Sequence, residues 1–432
     1  MAHPVPQRRF PGAAEDWVRE RLPAPVSLLS VVTSEDEDGP CGGVQSLSVS
    51  FPKTVALGTD CSGMETPVMA LRNLDIKIDH VFSCDVNKHA RTTIMANFPP
   101  KKFYTDLTVR DNSKAPKADV YVAGFPCQPF STAGLRGGFS DTRGRGEIFW
   151  HVRDYIHQQR PRVFLLENVS GLVKIEGGRY YKAIMEALEA LGSYNIYTRV
   201  LDTKENGVPQ SRRRIYFVGI SSNWDDGSFK FPEPAPLPSI EFFLEPRAAT
   251  ASACDLPPRK QQTAHANVLR ALKEIRMAGK DPLKEAFIVD CDSSAARMKY
   301  HRGVTPCLMC SRAAGHWVTS RFRRMTKTEM MRLQGMCPDD FNCAVSPRQL
   351  GTQIGNAMSV NVLERLFVRI LPAAGLVPHG SLVDRWSSGL PPSNVISPAA
   401  RPVAAPLKRL KRVCEEPPAR RAPAEGGPPP KR

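Results

Sequence analysis

A chain of 432 residues, 41% of them hydrophobic, can bury a sizeable core and reads as a soluble globular protein of one large or two ordinary domains with tails. Its net charge of +16 favours a polyanionic partner such as nucleic acid. No apolar run approaches the roughly 20 residues that span a bilayer, the N-terminus lacks a secretory core, and 11 singly scattered cysteines argue against a disulfide framework.

Residues 1–50, rich in Pro, Ser and Gly with an acidic "SEDEDG", are expected to form a disordered tail. Order is predicted to begin near "KTVALGTD". Strand-like runs "TVALG", "HVFSCD", "DVYVAGF", "RVFLLENV", "NIYTRVL" and "RRIYFVGI" then alternate with helical patterns through "PVMALRNL", "KHARTTIMANF", "IFWHVRDYIHQQ" and "YKAIMEALEALG". This alternation predicts an α/β, Rossmann-like domain over 51–221, with a mostly parallel sheet and helices on both faces. From 222 to 315 the pattern changes to Pro-rich and irregular sequence around a charged helix, "HANVLRALKEIRMAG", and is read as a separate small lobe. Val268, Leu269, Leu272 and Ile275 are predicted to be its packing stripe. Residues 316–372 return to complete the first domain, and 373–432 are expected to be a Pro-rich, basic, disordered tail. Its "KRLKR" suits a nuclear import signal or a nonspecific DNA contact, so a nuclear location is expected, with a cytoplasmic or organellar one as the alternative.

In open α/β sheets, ligands bind outside the carboxyl ends of the strands. Asp85 ends "HVFSCD", Cys127 follows "DVYVAGF" in "GFPCQPFS", and Glu167 and Asn168 end "RVFLLENV". A carboxylate at the end of an apolar strand is costly unless it is paired or used. Gln210, Arg212 and Arg214 alternate through "QSRRRIYFVG" and so point to one face, with Arg213 expected to be a solvated strand residue. A thiol, a carboxyl and two guanidiniums in one cleft suit a nucleophile, an acid and an anion clamp. Cys307 and Cys310 form a lone CxxC with no second pair at matching spacing, and no metal site is expected.

"GFPCQPFS", "ENV", "QSRRRIYFVG", "RLQGMCPDDF" and "QIGNAMSVNVL", in that order, resemble the signature blocks of the DNA cytosine-5 methyltransferase family over about residues 55–370. The resemblance implies the class I methyltransferase fold, with the small lobe recognising the target. The implied activity is transfer of a methyl group from S-adenosyl-L-methionine to C5 of a flipped cytosine in double-stranded DNA. In that reaction Cys127 adds to C6, Glu167 contacts N3, and Arg212 and Arg214 contact the target nucleotide. Gln210 holds its loop and counts with Gln128, Ser131, Arg143 and Arg145 among the DNA-binding residues. The loop "STAGLRGGFSDTRGRG" would close over DNA.

For the cofactor, the turn in "ALGTDCSGMETPVMAL" keeps Gly63 but has Cys61 where Phe is usual and Glu65 with Thr66 in place of a Gly pair. Asp60 or Glu65 would take the ammonium group of the cofactor. Asp85 would bind the ribose hydroxyls, and Asp106 the adenine amino group with Leu107 beside the ring. Val86, Pro126 and Ile148 would line the pocket, and Asn356 would close over the methionine end. Alternatives are a tRNA cytosine-5 methyltransferase, whose Cys-Phe-Thr segment is absent here, and a catalytically weak DNA-binding relative. A monomer with no membrane partner is expected.

Overall fold

The protein, seen in a computed structural model, is described over residues 51, 54–126, 147–247 and 256–398. The expected tail at 1–50, the basic segment beyond 398 on which the nuclear expectation rests, and Cys127, Gln128, Ser131, Arg143 and Arg145 lie outside the described residues.

Seven strands form the central sheet: β1 (Val55–Asp60), β2 (Ile78–Cys84), β3 (Lys102–Tyr104), β4 (Val120–Ala123), β5 (Val163–Val169), β6 (Tyr194–Asp202) and β8 (Arg213–Ser221), in the order β3-β2-β1-β4-β5-β8-β6. β1 to β5 pair in parallel, whereas β8 runs antiparallel to both β5 and β6. The sheet is therefore mostly parallel, as expected, with one reversed strand.

Side-chain alternation sorts the sheet into two cores. Val120, Val122, Val163, Leu165, Val218 and Ile220 face one side, where helices α1 (Thr66–Asn73) and α8 (Val360–Ala373) cover them. Tyr121, Ala123, Phe164, Leu166 and Phe217 face the other, under α3 (Ile148–Gln159) and α4 (Arg179–Glu189). Helices on both faces are what allow β4 and most of β5 to be apolar at successive positions. Helix α2 (Lys88–Asn97), capped by Asn87, follows β2.

The small lobe has its own sheet, β10-β9-β12-β13, built from β9 (Phe287–Val289), β10 (Tyr300–Arg302), β12 (Trp317–Val318) and β13 (Arg323–Arg324), so it extends past residue 315. Helix α5 (Gln262–Met277) packs on it through Ala264, Val268, Ala271, Leu272 and Ile275. Leu269, predicted to join that stripe, is 45% exposed, because the buried face continues through Ala264 and Ala271 at helical spacing instead.

A two-residue parallel ladder joins the lobe to the main body, pairing β11 (Thr305–Pro306) with β7 (Gln210–Ser211). Helices α6 (Lys327–Arg332) and α7 (Pro347–Asn356) complete the return segment. Residues 374–398, expected to belong to the disordered tail, pack against the body through Leu376, Trp386 and Val395, each almost fully buried. Pro-rich sequence still folds when it carries large apolar anchors.

Candidate active site

The antiparallel register of β5 with β8 places Arg214 opposite Val169, on the same face as Glu167 two residues earlier. The Arg214 Nε accordingly lies 3.0 Å from Glu167 Oε1, and both side chains are mostly buried. On its other side Glu167 looks toward Gly124, where a Cβ would lie 3.8 Å from Oε2. Asn168 donates from Nδ2 to the Phe125 carbonyl at 3.3 Å and accepts the Val169 N–H at 2.8 Å, so it ties the end of β5 to the segment leading to Cys127.

Arg212 and Arg214 differ in depth. Arg212 is 2% exposed, and its guanidinium donates to three carbonyls, those of Leu308 (2.8 Å), Gly355 (3.1 Å) and Ala357 (2.7 Å). Burial, then the neighbouring Arg214, lowers its pKa below that of a free guanidinium. Arg212 thereby joins the small lobe to the turn after α7. The alternation read in the sequence brings Arg212 and Arg214 to one corner, where the Arg212 guanidinium, expected at the nucleotide, makes three bonds within the protein. Gln210 is fully buried too. It donates to the Leu333 carbonyl and to Gln334 Oε1, and accepts the Leu308 N–H at 3.0 Å. These bonds tie its loop to the return segment and leave its side chain no exposed surface. Arg213 is exposed.

Cys307, which the sequence showed only as half of a lone CxxC, and Gly355, for which no role was expected, complete this corner. The Cys307 Sγ lies 3.7 Å from Arg212 Nη1 and 3.8 Å from Arg214 Nη2, whereas Cys310 is exposed, so the two CxxC thiols occupy different environments. Gly355 allows α7 to touch the lobe, since a Cβ there would lie 2.3 Å from the Met309 carbonyl carbon and 2.4 Å from the Cys310 nitrogen. The spacing Gly351-x-x-x-Gly355 was the available signal, because Gly351 also faces a backbone atom, the Ala313 oxygen at 2.1 Å. Asn356, between two carbonyls held by Arg212, is exposed beside this corner. Among the described residues, no group of three or more His, Cys, Asp or Glu side chains is placed to hold a metal ion.

The expected cofactor residues gather at the carboxyl ends of β1 to β4. Asp85, half-buried after β2, accepts the Gly63 N–H (2.9 Å) and the Asn87 N–H (2.8 Å), and burial raises its pKa. Val86 beside it is 76% exposed. Asp106 accepts the backbone and hydroxyl of Thr108 through Oδ1 alone, and Leu107 is buried. Pro126 follows β4, and Ile148 begins α3; both are half-buried. Cys61 and Glu65 adopt positive φ (52° and 58°), a costly conformation without glycine. Burial, then Asp85 and Asp60, pushes the Cys61 thiol up, so it stays neutral.

The two acids offered for an ammonium group separate clearly. Asp60 is buried and bound by both terminal nitrogens of Arg110 (2.7 and 2.6 Å) and by the Tyr121 hydroxyl (2.6 Å). Arg110 is boxed by the rings of Phe82, Tyr104 and Tyr155. Both oxygens of Asp60 are therefore engaged within the protein: as the last residue of β1 it points into the aromatic layer below the sheet end. Glu65, in contrast, accepts from Thr59 and Ser83 through Oε1 (2.6 Å each), while its Oε2 is buried without a hydrogen-bond partner.

The model of the C-5 cytosine-specific DNA methylase family matches residues 60–371. The type II methyltransferase M.NgoBI of Neisseria gonorrhoeae is 36% identical over 287 residues, 66% of this chain and 84% of the relative. M.HpaII of Haemophilus parainfluenzae is 32% identical over 321 residues, 71% and 86% of the two chains. Among solved structures, the methyltransferase EhMeth of Entamoeba histolytica superposes with a TM-score of 0.52, covering 74% of this chain and 98% of that one at 16% identity, a likeness of fold.

Proposed function

Because this chain belongs to the C-5 cytosine-specific DNA methylase family, we propose that it methylates C5 of a cytosine flipped out of double-stranded DNA, using S-adenosylmethionine. The observation that carries this reading is the Glu167–Arg214 pair at 3.0 Å, held by the β5–β8 register below the segment that leads to Cys127.

Cytosine C5 is a poor nucleophile while its ring is aromatic. In the proposed reaction the Cys127 thiolate adds to C6, and the electron pair displaced from the C5–C6 bond makes C5 nucleophilic. Glu167, aligned by Arg214, offers a proton at N3 and so neutralises the ring as it gains charge. C5 would then take the methyl group as its bond to the cofactor sulfur breaks, the electron pair staying on sulfur in a neutral thioether leaving group. Transfer of the C5 proton to water, with the N3 proton returning to Glu167, expels the thiolate and restores the aromatic ring as 5-methylcytosine. The guanidinium of Arg214 also favours a thiolate nearby. Since C5 and C6 are out of reach in a stacked duplex, the base has to leave the helix first.

S-adenosylmethionine, when bound, supplies the methyl group on an activated sulfonium. The residues present fit it. Glu65, with an unpartnered Oε2, is the acid for the ammonium group, Asp85 the acceptor for the ribose hydroxyls, and Asp106, with Oδ2 unengaged among the described residues, the acceptor for the adenine amine. Val86, Leu107, Pro126 and Ile148 flank these groups, and Asn356 closes the methionine end.

Incubation with tritiated S-adenosylmethionine and either duplex DNA or total tRNA tests the reading, with label expected in DNA. A duplex containing 5-fluorocytosine should trap a covalent adduct that Cys127→Ser does not form. Absence of the adduct with the unaltered protein would refute the covalent route.

A further inference from the structure

The family match ends at residue 371, yet ordered chain continues to 398. That continuation, here termed the strap, lies against the turn that precedes the active-site arginines. Trp386 is 1% exposed, and its indole N–H donates to Glu364 Oε2 at 2.8 Å. Glu364 also accepts from Arg385 in the strap (3.1 Å) and from Asn73 in α1 (2.6 Å), so one buried carboxylate joins the strap to two helices.

The neighbouring residue of α8 works outward. Arg365 is paired by Nε with Asp384 of the strap at 2.9 Å, which leaves its terminal nitrogens to donate to Asn206 Oδ1 (2.8 Å) and the Glu233 carbonyl (2.7 Å). The turn residue after Asn206 is Gly207, with φ of 89°, where a Cβ would lie only 3.0 Å from the Trp386 ring. A bulky indole and an oriented guanidinium thus press on residues 206 and 207 from outside.

From the inside, the same turn closes on Arg212. The Thr203 N–H donates to the Arg212 carbonyl (3.1 Å), and the Arg212 N–H donates to Asp202 Oδ1 (2.9 Å). The turn Thr203–Asn206 is therefore clamped between the strap and the base of the strand that carries Arg214 to Glu167. A strap that only covered the core would have no need of a paired Asp384–Arg365 aimed at that turn.

We propose that residues 374–398 brace the arginine-bearing strand for methyl transfer, with Trp386 and Asp384 as positioning residues. The catalytic half of this inference rests on the function proposed above. Small misplacement of a group that aligns reacting atoms costs up to about 100-fold in rate, so loosening the brace lowers kcat while leaving the cofactor site at the far strands intact.

The test uses the full chain with Trp386→Ala, Trp386→Phe and Asp384→Ala, assayed well below each variant's melting temperature. Trp386→Ala and Asp384→Ala should lose about 10-fold or more in kcat with KM for S-adenosylmethionine within about two-fold of the unaltered protein, and Trp386→Phe should recover most of the loss. Hydrogen exchange should rise at amides 203–214 and stay unchanged in β1 and β2. Unchanged kcat, or exchange that rises evenly over the whole body, overturns the brace. Local exchange that responds in a protein without transfer activity supports the brace and refutes the proposed function instead. If Trp386→Ala does not fold, Asp384→Ala carries the same comparison.

Discussion

Replacing Arg212 separates two roles that its place in the sequence leaves together. Its guanidinium serves the buried carbonyls of Leu308, Gly355 and Ala357. Truncation to Ala strands the Gly355 carbonyl, which costs about 1–3 kcal/mol for a buried unsatisfied acceptor, and leaves Ala357 with Gln334 Nε2 at 3.3 Å and Leu308 with only the weak Cys307 thiol at 3.5 Å. The two bonds lost there are worth about 0.5–1.5 kcal/mol each, so the total is about 2–6 kcal/mol. That is a large share of the roughly 5–15 kcal/mol by which native proteins are stable. At roughly 2 °C per kcal/mol for a body of this size, Arg212→Ala should melt about 4–12 °C lower, with a matching fall in the urea midpoint. Arg212→Lys should recover only part, because one ammonium cannot reproduce a planar fork spanning carbonyls from two segments. Duplex binding measured over a salt series should keep its slope, since each phosphate contact adds about 0.9 to it and the Arg212 guanidinium is committed to carbonyls within the protein. If Arg212→Lys melts within about 1 °C of the unaltered protein while the salt slope falls by about one, Arg212 is a nucleotide contact and the structural account of it is wrong.

Gly355→Ala should destabilise by about 1–3 kcal/mol or more, because its Cβ would meet backbone atoms of Met309 and Cys310 rather than a flexible side chain; urea unfolding measures this. Asp85 has a folded pKa raised above the ordinary 3.8 chiefly by burial, so the ionised group opposes folding and stability is lost as pH rises from the unfolded pKa through the folded one. Asp85→Asn removes that slope, and its melting temperature relative to the unaltered protein should be higher at pH 7.5 than at pH 4.5, whereas cofactor affinity falls. A constant difference at the two pH values would contradict the assignment. In the small lobe, Leu269→Ala should change stability by less than about 0.5 kcal/mol, while Leu272→Ala should cost about 2–5 kcal/mol, both read by chemical unfolding.

The strands β1, β2, β4, β5, β6 and β8 are readable in sequence because each carries apolar alternation or a continuous apolar run bounded by turn residues. β3, three residues of "KFY", is too short for any period to show. The reversal of β8 leaves no local mark, since pairing direction is set by where the chain re-enters the sheet. The active-site corner divides the same way. Alternation correctly put Gln210, Arg212 and Arg214 on one face, but periodicity gives direction and not depth. The partners that bury the first two, Leu333, Leu308 and Ala357, lie about a hundred residues or more away.

Asp60 shows the same limit from the cofactor side. Its partner Arg110 is 50 positions later, in a segment whose sequence reads as an ordinary loop, and only folding brings the pair together inside an aromatic box. The strap is a different kind of omission. Its prolines and serines match the composition of a solvated tail, and the three buried anchors Leu376, Trp386 and Val395 are too far apart to form a pattern.

The ladder of Thr305–Pro306 on Gln210–Ser211 has a consequence for modular exchange between relatives. A recombinant that swapped the small lobe at residue 315 would carry away Thr305, Leu308 and the Met309–Cys310 backbone, and with them the seats of Gln210, Arg212 and Gly355. A graft that transplants the segment between Leu256 and Gly303, keeping the host's own residues from Val304 onward, leaves those seats in place. An exchange that respects those seats has its boundary at Val304, inside the lobe, where it parts β9 from its neighbour β12.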